Sequence, residues 1–265
     1  MYSRVQLIKK WLRHSLSASN GKGHGIHSPF VFDLVKNVLR DRKKYDHYNI
    51  IEFVRKKLLK QTDEIEIEDL GAGSSVIKTK KRRVSDIAAS SLKPVKYGQL
   101  LYRIVKYYQP KTILELGTSF GVTSSYLAAA DPNAKLFTIE GSPAIANIAR
   151  KTFQETRLNN IQLTEGDFNA ALPSLLTKLN SIDLAFIDGN HRKEPTLDYF
   201  QQLLRHSNAS TILIFDDIHW SEEMEDAWTT IQQSLKVTLT IDLFFIGIVF
   251  VNPDFKIKQH FRIRF

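Results

Sequence analysis

Apolar positions along the 265-residue chain change rhythm near residue 97. Upstream, Val5, Leu7, Ile8, Trp11, Leu12 and Leu16 recur at spacings of three and four, which predicts a short helix over 3–18. Glycines break the pattern at Asn20-Gly-Lys-Gly-His-Gly25. Ser28-Pro29 then reads as a helix start, with the helix running to about Arg40. Another helix is predicted over 48–60, and 61–97 reads as irregular. From Tyr97 the order is regular. Leu100, Leu101, Ile104, Val105 and Tyr108 form a helical stripe stopped at Pro110. Strands at 112–116, 136–139, 161–164, 182–187 and 211–215 then alternate with helices at 122–130, 143–157, 170–179, 195–206 and 221–234. Two further strands, 237–243 and 247–251, follow.

Short apolar strands alternating with amphipathic helices imply βαβ units and a parallel sheet covered on both faces. The short connection between the last two strands makes that pair antiparallel. The expected fold is therefore α/β: a doubly wound, Rossmann-like, seven-stranded and mostly parallel sheet with an antiparallel last strand. A basic helical extension over residues 1–95 precedes the main domain over 96–265.

Composition narrows this further. A chain 43% hydrophobic and 25% charged is neither disordered nor membrane-integral. Its longest apolar run, Leu243 to Val251, is far short of the roughly 20 residues that span a bilayer. Arg4, Lys9, Lys10 and Arg13 interrupt the first twenty residues, so no signal-peptide core is expected there. The absence of cysteine removes disulfides, thiolate-bound zinc and thiol catalysis, and the natural reading is a reducing cytoplasm. The net charge of +9 is unevenly spread: residues 1–100 hold 21 basic and 10 acidic side chains, residues 101–265 hold 16 and 18.

In open α/β sheets, ligands bind beyond the carboxyl ends of the strands. The first strand of the regular region ends in Glu115-Leu-Gly-Thr-Ser-Phe-Gly121, where Gly117 and Gly121 allow close backbone approach to a ligand and the next helix offers free N–H groups. The second ends at Glu140, a carboxylate able to accept two hydrogen bonds from a ribose diol. The third is followed by Gly166-Asp167, the fourth by Asp188-Gly-Asn-His191, and the fifth ends in Asp216-Asp217-Ile-His-Trp220. Five consecutive strands ending in polar, mostly acidic groups form a specific constellation.

Over about residues 95–252 this constellation resembles the class I S-adenosylmethionine-dependent methyltransferases. Glu115, Gly117, Thr118, Ser119 and Gly121 fall in their glycine-rich first motif. Glu140 with Gly141 is similar to their ribose-binding acid, and Gly166, Asp167 and Phe168 to the motif beside adenine. Within that superfamily the chain looks most like the cation-dependent O-methyltransferases of the catechol and caffeoyl type, whose Gly-Gln pair is matched by Gly98-Gln99. The resemblance implies S-adenosylmethionine as cofactor, with Asp188 also beside it, and a divalent cation such as Mg²⁺ at Asp188, Asp216 and Asp217. It departs from that family in two places. Asp217 replaces an Asn, and His191 stands where a Lys is often found. A histidine can serve as a base near neutral pH, so His191, with Asp188, is the expected catalytic pair. The acceptor implied is a small-molecule hydroxyl.

Other readings stand beside these. A nicotinamide site needs Gly-x-Gly-x-x-Gly, and the glycine after Gly117 comes four residues on. The strand-end aspartates also fit solvated loops or helix caps, Asp217 and Ser221 among them. In letters Asp69-Leu-Gly-Ala-Gly-Ser74 resembles the first motif of many methyltransferases better than Glu115–Gly121 does, but its flanking residues argue against that, and it reads as a loop or lid. Gly23-His-Gly-Ile-His-Ser-Pro-Phe30 is an unusual segment that could reach the substrate. For the basic segment, a solvated scaffold is the favoured reading, RNA binding by a tRNA-modifying methyltransferase the second, and membrane-surface contact through residues 1–18, anchored by Trp11, the third. A non-catalytic binding module on the same fold and a homodimer also remain open.

Overall fold

The computed structural model describes residues 1–19, 28–67 and 81–265. In chain order come α1 (Arg4–Ser17), α2 (Pro29–Leu34) continuing into a π-helical turn over Val35–Leu39, α3 (Asp46–Leu58), β1 (Glu64–Glu66), β2 (Lys81–Arg83), α4 (Val84–Ser91) and α5 (Val95–Tyr108). Then strand and helix alternate: β3 (Thr112–Leu116), α6 (Val122–Ala130), β4 (Lys135–Glu140), α7 (Pro143–Glu155), β5 (Ile161–Glu165), α8 (Phe168–Leu176), β6 (Ile182–Ile187), α9 (Lys193–Arg205), β7 (Ser207–Asp216) and α10 (Glu222–Gln233). Three strands follow, β8 (Leu239–Asp242), β9 (Ile246–Phe250) and β10 (Gln259–Arg262). The main sheet has eight strands in the order β10-β8-β9-β7-β6-β3-β4-β5. The chain divides into two compact units, Arg42–Lys178 and Met1–Asp41 with Leu179–Phe265.

In the unit Arg42–Lys178, β3 pairs in parallel with β4, and β4 with β5. The register sets Glu115 opposite Thr138 and Glu140 opposite Glu165, so the carboxyl ends of the three strands lie level. Helix α5 sits close against α6. A Cβ on Gly98 would fall 2.5 Å from the Tyr126 ring, so only glycine fits there. The Tyr126 hydroxyl donates to Glu52 of α3 at 2.8 Å, and burial raises its pKa. The Asn160 amide donates to the carbonyls of Ala128, Asp131 and Ala134, fixing the turn between α6 and β4.

In the other unit, β6 runs parallel to β7, β9 is antiparallel to both β7 and β8, and β10 is parallel to β8. All residues of β8 and β9 are buried. Helix α1 starts on a capping box, the Ser3 hydroxyl accepting from Gln6 N–H and the Gln6 side chain from Ser3 N–H. Among the described residues, no helix is long and apolar enough to cross a membrane.

The seven expected strands and their order of appearance agree with the structure, including the antiparallel pairing of the strands near 237–251. Two expectations are corrected. The sheet gains an eighth strand, β10, whose Gln-His-Phe-Arg sequence carries no apolar run and alternates half-buried with exposed positions. The 61–97 stretch is not wholly irregular: β1 and β2 pair there, and α4 and the start of α5 lie within it. Its strands are three residues long, too short for periodicity to register. The glycine cluster 69–74 and most of the segment 23–30 lie outside the described residues.

Gly247 interrupts the longest apolar run for a packing reason. A Cβ there would lie 2.6 Å from Cζ3 and 2.7 Å from Cη2 of Trp228 on α10. Gly247→Ala is expected to lower unfolding stability by about 1–3 kcal/mol through overpacking, read as a lower midpoint in urea denaturation with an unchanged slope. An unshifted midpoint would show that the Trp228 ring has room to withdraw.

Candidate functional site

In the unit Arg42–Lys178, the strand-end residues build a cradle around one carboxylate. β3 ends and the chain turns through Gly117 (φ 99°), Thr118, Ser119 (φ 48°), Phe120 and Gly121 (φ 76°) into α6. The N–H groups of Gly117 and Thr118 donate to the carbonyl of Ile139, tying this loop to β4. Beneath it Glu115 is fully buried and accepts from the hydroxyls of Ser124 and Thr138. Thr118 and Thr138 share a hydroxyl bond of 2.6 Å. At Gly121 a Cβ would meet the Phe153 ring at 2.5 Å, so the left-handed turn and the tight approach of α7 both require glycine.

Glu140, at the end of β4, accepts from Ser119 N–H at 2.9 Å on one oxygen and from Ser142 N–H at 3.0 Å on the other. Burial pushes its carboxyl pKa up, and the N–H groups of Ser142, Ser119 and Gly141 pull it back, leaving it raised. The carboxylate keeps acceptor capacity for a ligand. Gly166 (φ 148°) donates its N–H to the Glu140 carbonyl. Asp167 caps α8 through a 2.8 Å bond from Asn169 N–H, and half-buried Phe168 follows as its first residue. The Ser142 hydroxyl is buried with no hydrogen-bond partner among the described residues. A buried orphan hydroxyl beside a half-satisfied carboxylate and a glycine cradle suits a polar ligand with hydroxyls.

In the other unit, a second group forms at the ends of β6 and β7. One ligand atom each from Asp188, His191 and Asp216 lies within 4.8 Å of the others. His191 Nε2 is 3.5 Å from Asp188 Oδ1. The chain reaches this geometry through left-handed backbone at Asn190 (φ 68°) and His191 (φ 36°), with Asn190 braced by the Tyr199 hydroxyl at 3.1 Å. Such strain persists only where surrounding structure fixes it, and it concentrates at sites of function. Asp217 also has positive φ (53°), but its carboxylate is not among the three that converge. Nor does it cap α10: Ser221 does, accepting from Met224 N–H.

His219 lies three residues past Asp216, and its ring is engaged on both sides, Nδ1 with Glu225 at 2.8 Å and Nε2 with Asp242 at 2.9 Å. Burial alone would lower its pKa, yet the two carboxylates hold it raised. Asp242 also meets His14 Nε2 at 3.0 Å, and against the upward push of burial the two imidazoles hold its carboxyl well below the usual range. Glu225 completes the network with Lys10 at 2.8 Å and the Tyr2 hydroxyl at 2.9 Å. Sequence reasoning missed this cluster; its one local signal is the Lys10–His14 spacing of four, which puts both on one helix face. Ser142 and Thr138 were missed as well, since serine and threonine carry no pattern of their own.

Residues 114–218 match the family described as a methyltransferase domain. A catechol O-methyltransferase of Niastella koreensis is 34% identical over 124 residues, which cover 46% of this chain and 55% of that protein. The chain spans about half the length of the curated relatives it matches. Among solved structures, an O-methyltransferase from Bacillus cereus in complex with SAH superposes with a TM-score of 0.57 at 20% identity, over 83% of this chain and 97% of that one. An SAH-bound methyltransferase from Podospora anserina gives 0.58 at 13% identity, over 95% and 97%. These two show the fold. The family match and the curated relative agree: residues 114–218 are similar to a methyltransferase domain, and this region resembles a catechol O-methyltransferase.

Proposed function

We propose that the protein transfers a methyl group from S-adenosylmethionine to a hydroxyl oxygen of a small-molecule acceptor, assisted by a divalent cation such as Mg²⁺. The observation that carries this reading is the convergence of Asp188, His191 and Asp216 at the ends of adjacent parallel strands. Two carboxylate oxygens with an imidazole nitrogen close by suit a divalent cation that favours oxygen ligands.

Bound S-adenosylmethionine supplies a methyl group already activated on a sulfonium. Glu140 holds the ribose diol with its remaining acceptor capacity, and the Gly117–Gly121 loop brings its backbone close along the methionine end. Gly141, Gly166, Asp167 and Phe168 frame the adenine, and Glu115 keeps the loop in shape through Ser124 and Thr138. A bound divalent cation supplies a Lewis acid that lowers the pKa of an acceptor hydroxyl. Asp188 and Asp216 hold it. His191 takes the acceptor proton, and alignment of the acceptor oxygen with the methyl carbon provides the rest of the acceleration.

Three outcomes are expected. Glu140→Ala weakens S-adenosylhomocysteine binding by roughly a hundredfold in calorimetry, the loss of two hydrogen bonds to a charged acceptor; unchanged affinity removes the cofactor assignment. Asp216→Asn weakens Mn²⁺ or Mg²⁺ binding by about tenfold or more in a direct titration of the protein, and equal affinity in variant and parent shows that no cation sits there. His191→Asn lowers turnover by roughly 10²–10⁴-fold while cation affinity holds. A loss of cation affinity in that variant makes His191 a ligand instead of the base.

A further inference from the structure

Helix α1 is docked the wrong way round for a soluble protein. An amphipathic surface helix normally turns its apolar stripe to the core and its charges to water. Here the polar face faces the protein. Lys10 pairs with Glu225, buried His14 with Asp242, the Tyr2 hydroxyl with Glu225, and Tyr2 N–H donates to the Trp220 carbonyl at 3.0 Å. At the other end of the helix, the Arg264 guanidinium donates to the Ser15 carbonyl. The opposite face carries Val5, Ile8, Leu12 and Leu16, at spacings of three and four, and they are 62%, 58%, 49% and 83% exposed.

The charges around this apolar stripe are of one sign. Exposed Lys9 and Arg13 run along one edge, and exposed Arg4 lies on the other with Trp11. No acidic side chain precedes Asp33 in the sequence. A stripe of aliphatic side chains bordered by cations and an amphipathic aromatic is complementary to the boundary between anionic headgroups and acyl chains. A second copy of the same face is a poorer occupant, because it would set the cations against one another with no carboxylate from either helix to pair them.

We propose that α1 is a membrane-surface anchor that lies flat on an anionic bilayer, with Val5, Ile8, Leu12 and Leu16 inserted at the headgroup boundary and Arg4, Lys9 and Arg13 on the lipid phosphates. The Lys10–Glu225 and His14–Asp242 contacts are what hold the helix apolar side out.

The test is co-sedimentation of the full chain with vesicles of phosphatidylcholine alone or with about one third phosphatidylserine. Association is expected with the anionic vesicles, weakening as salt rises. The triple variant Ile8→Ser, Leu12→Ser, Leu16→Ser is expected to lose it by at least tenfold. Lys9→Gln and Arg13→Gln should each cost about fivefold, the effect of one cation near an anionic surface. All five positions are exposed, so the variants should melt with the parent, and a thermal scan checks that. Failure to sediment with anionic vesicles overturns the proposal, as does equal binding by the triple variant. Analytical ultracentrifugation supplies a third arm: a dimer without lipid that the triple variant abolishes assigns the stripe to a second copy. Salt-sensitive binding of bulk tRNA with no vesicle binding overturns it in favour of a nucleic-acid surface.

Discussion

Strands β6, β8 and β9 and the second half of β7 are covered on both faces, and a strand so enclosed can carry a charged side chain only where partners meet it. That constraint arranges most of the chemistry in this protein. Two of the buried strand acids show how donors meet them: Glu115 lies between two hydroxyls, Asp242 between two imidazoles. Glu140, Asp216 and Asp242 stand at the carboxyl ends of their strands, where the backbone leaves the ladder and can supply N–H groups. Glu140 shows the gain. Its two N–H donors come from two different loops, so the same contacts that satisfy the carboxylate also set the positions of Ser119 and Ser142.

Glu115 and Asp242 do different work. Glu115 acts locally, joining β3, β4 and the first turns of α6, and so fixes the glycine loop between them. Asp242 acts at long range in sequence. It brings His14 of α1 and His219 of the loop after β7 to one point, and Glu225 extends the contact to Lys10 and Tyr2. A charge pair removed from water costs as much as it returns unless its remaining donors and acceptors are filled. In this cluster each carboxylate has two or more partners, so the network acts as an orienting device for α1 and the 217–220 loop.

Much of the fold was legible because burial on both faces writes itself as short runs of Val, Ile, Leu and Phe, and these runs marked seven strands. β10 escaped because it lies at the edge of the sheet, where polar residues suffice. The strand-end acids were legible too, since Glu140, Asp188 and Asp216 each stand directly after an apolar run. What could not be read was convergence. Asp216 and Asp217 are neighbours in the sequence, yet a left-handed turn at Asp217 separates their roles, and His191 joins Asp188 only through consecutive positive φ values at Asn190 and His191. Backbone of that kind is fixed by surrounding contacts such as Asn190 with Tyr199, which no local pattern announces.

The charge asymmetry of the sequence changes meaning once the units are known. Sequence halves suggested a basic extension attached to an acidic sheet. In space, Met1–Asp41 belongs with Leu179–Phe265, and that unit carries 15 basic and 14 acidic side chains, whereas Arg42–Lys178 carries 22 and 14. The positive excess therefore resides mainly in the unit that holds the glycine loop and Glu140, and the unit bearing α1 is close to neutral. On a nearly neutral unit, local arrangement decides what a surface attracts. Lys10 is neutralised by Glu225, while Arg4, Lys9 and Arg13 border exposed aliphatic side chains. The same four cations that looked like one basic cluster in the sequence are thus divided by the helix into one that fastens it and three that face outward.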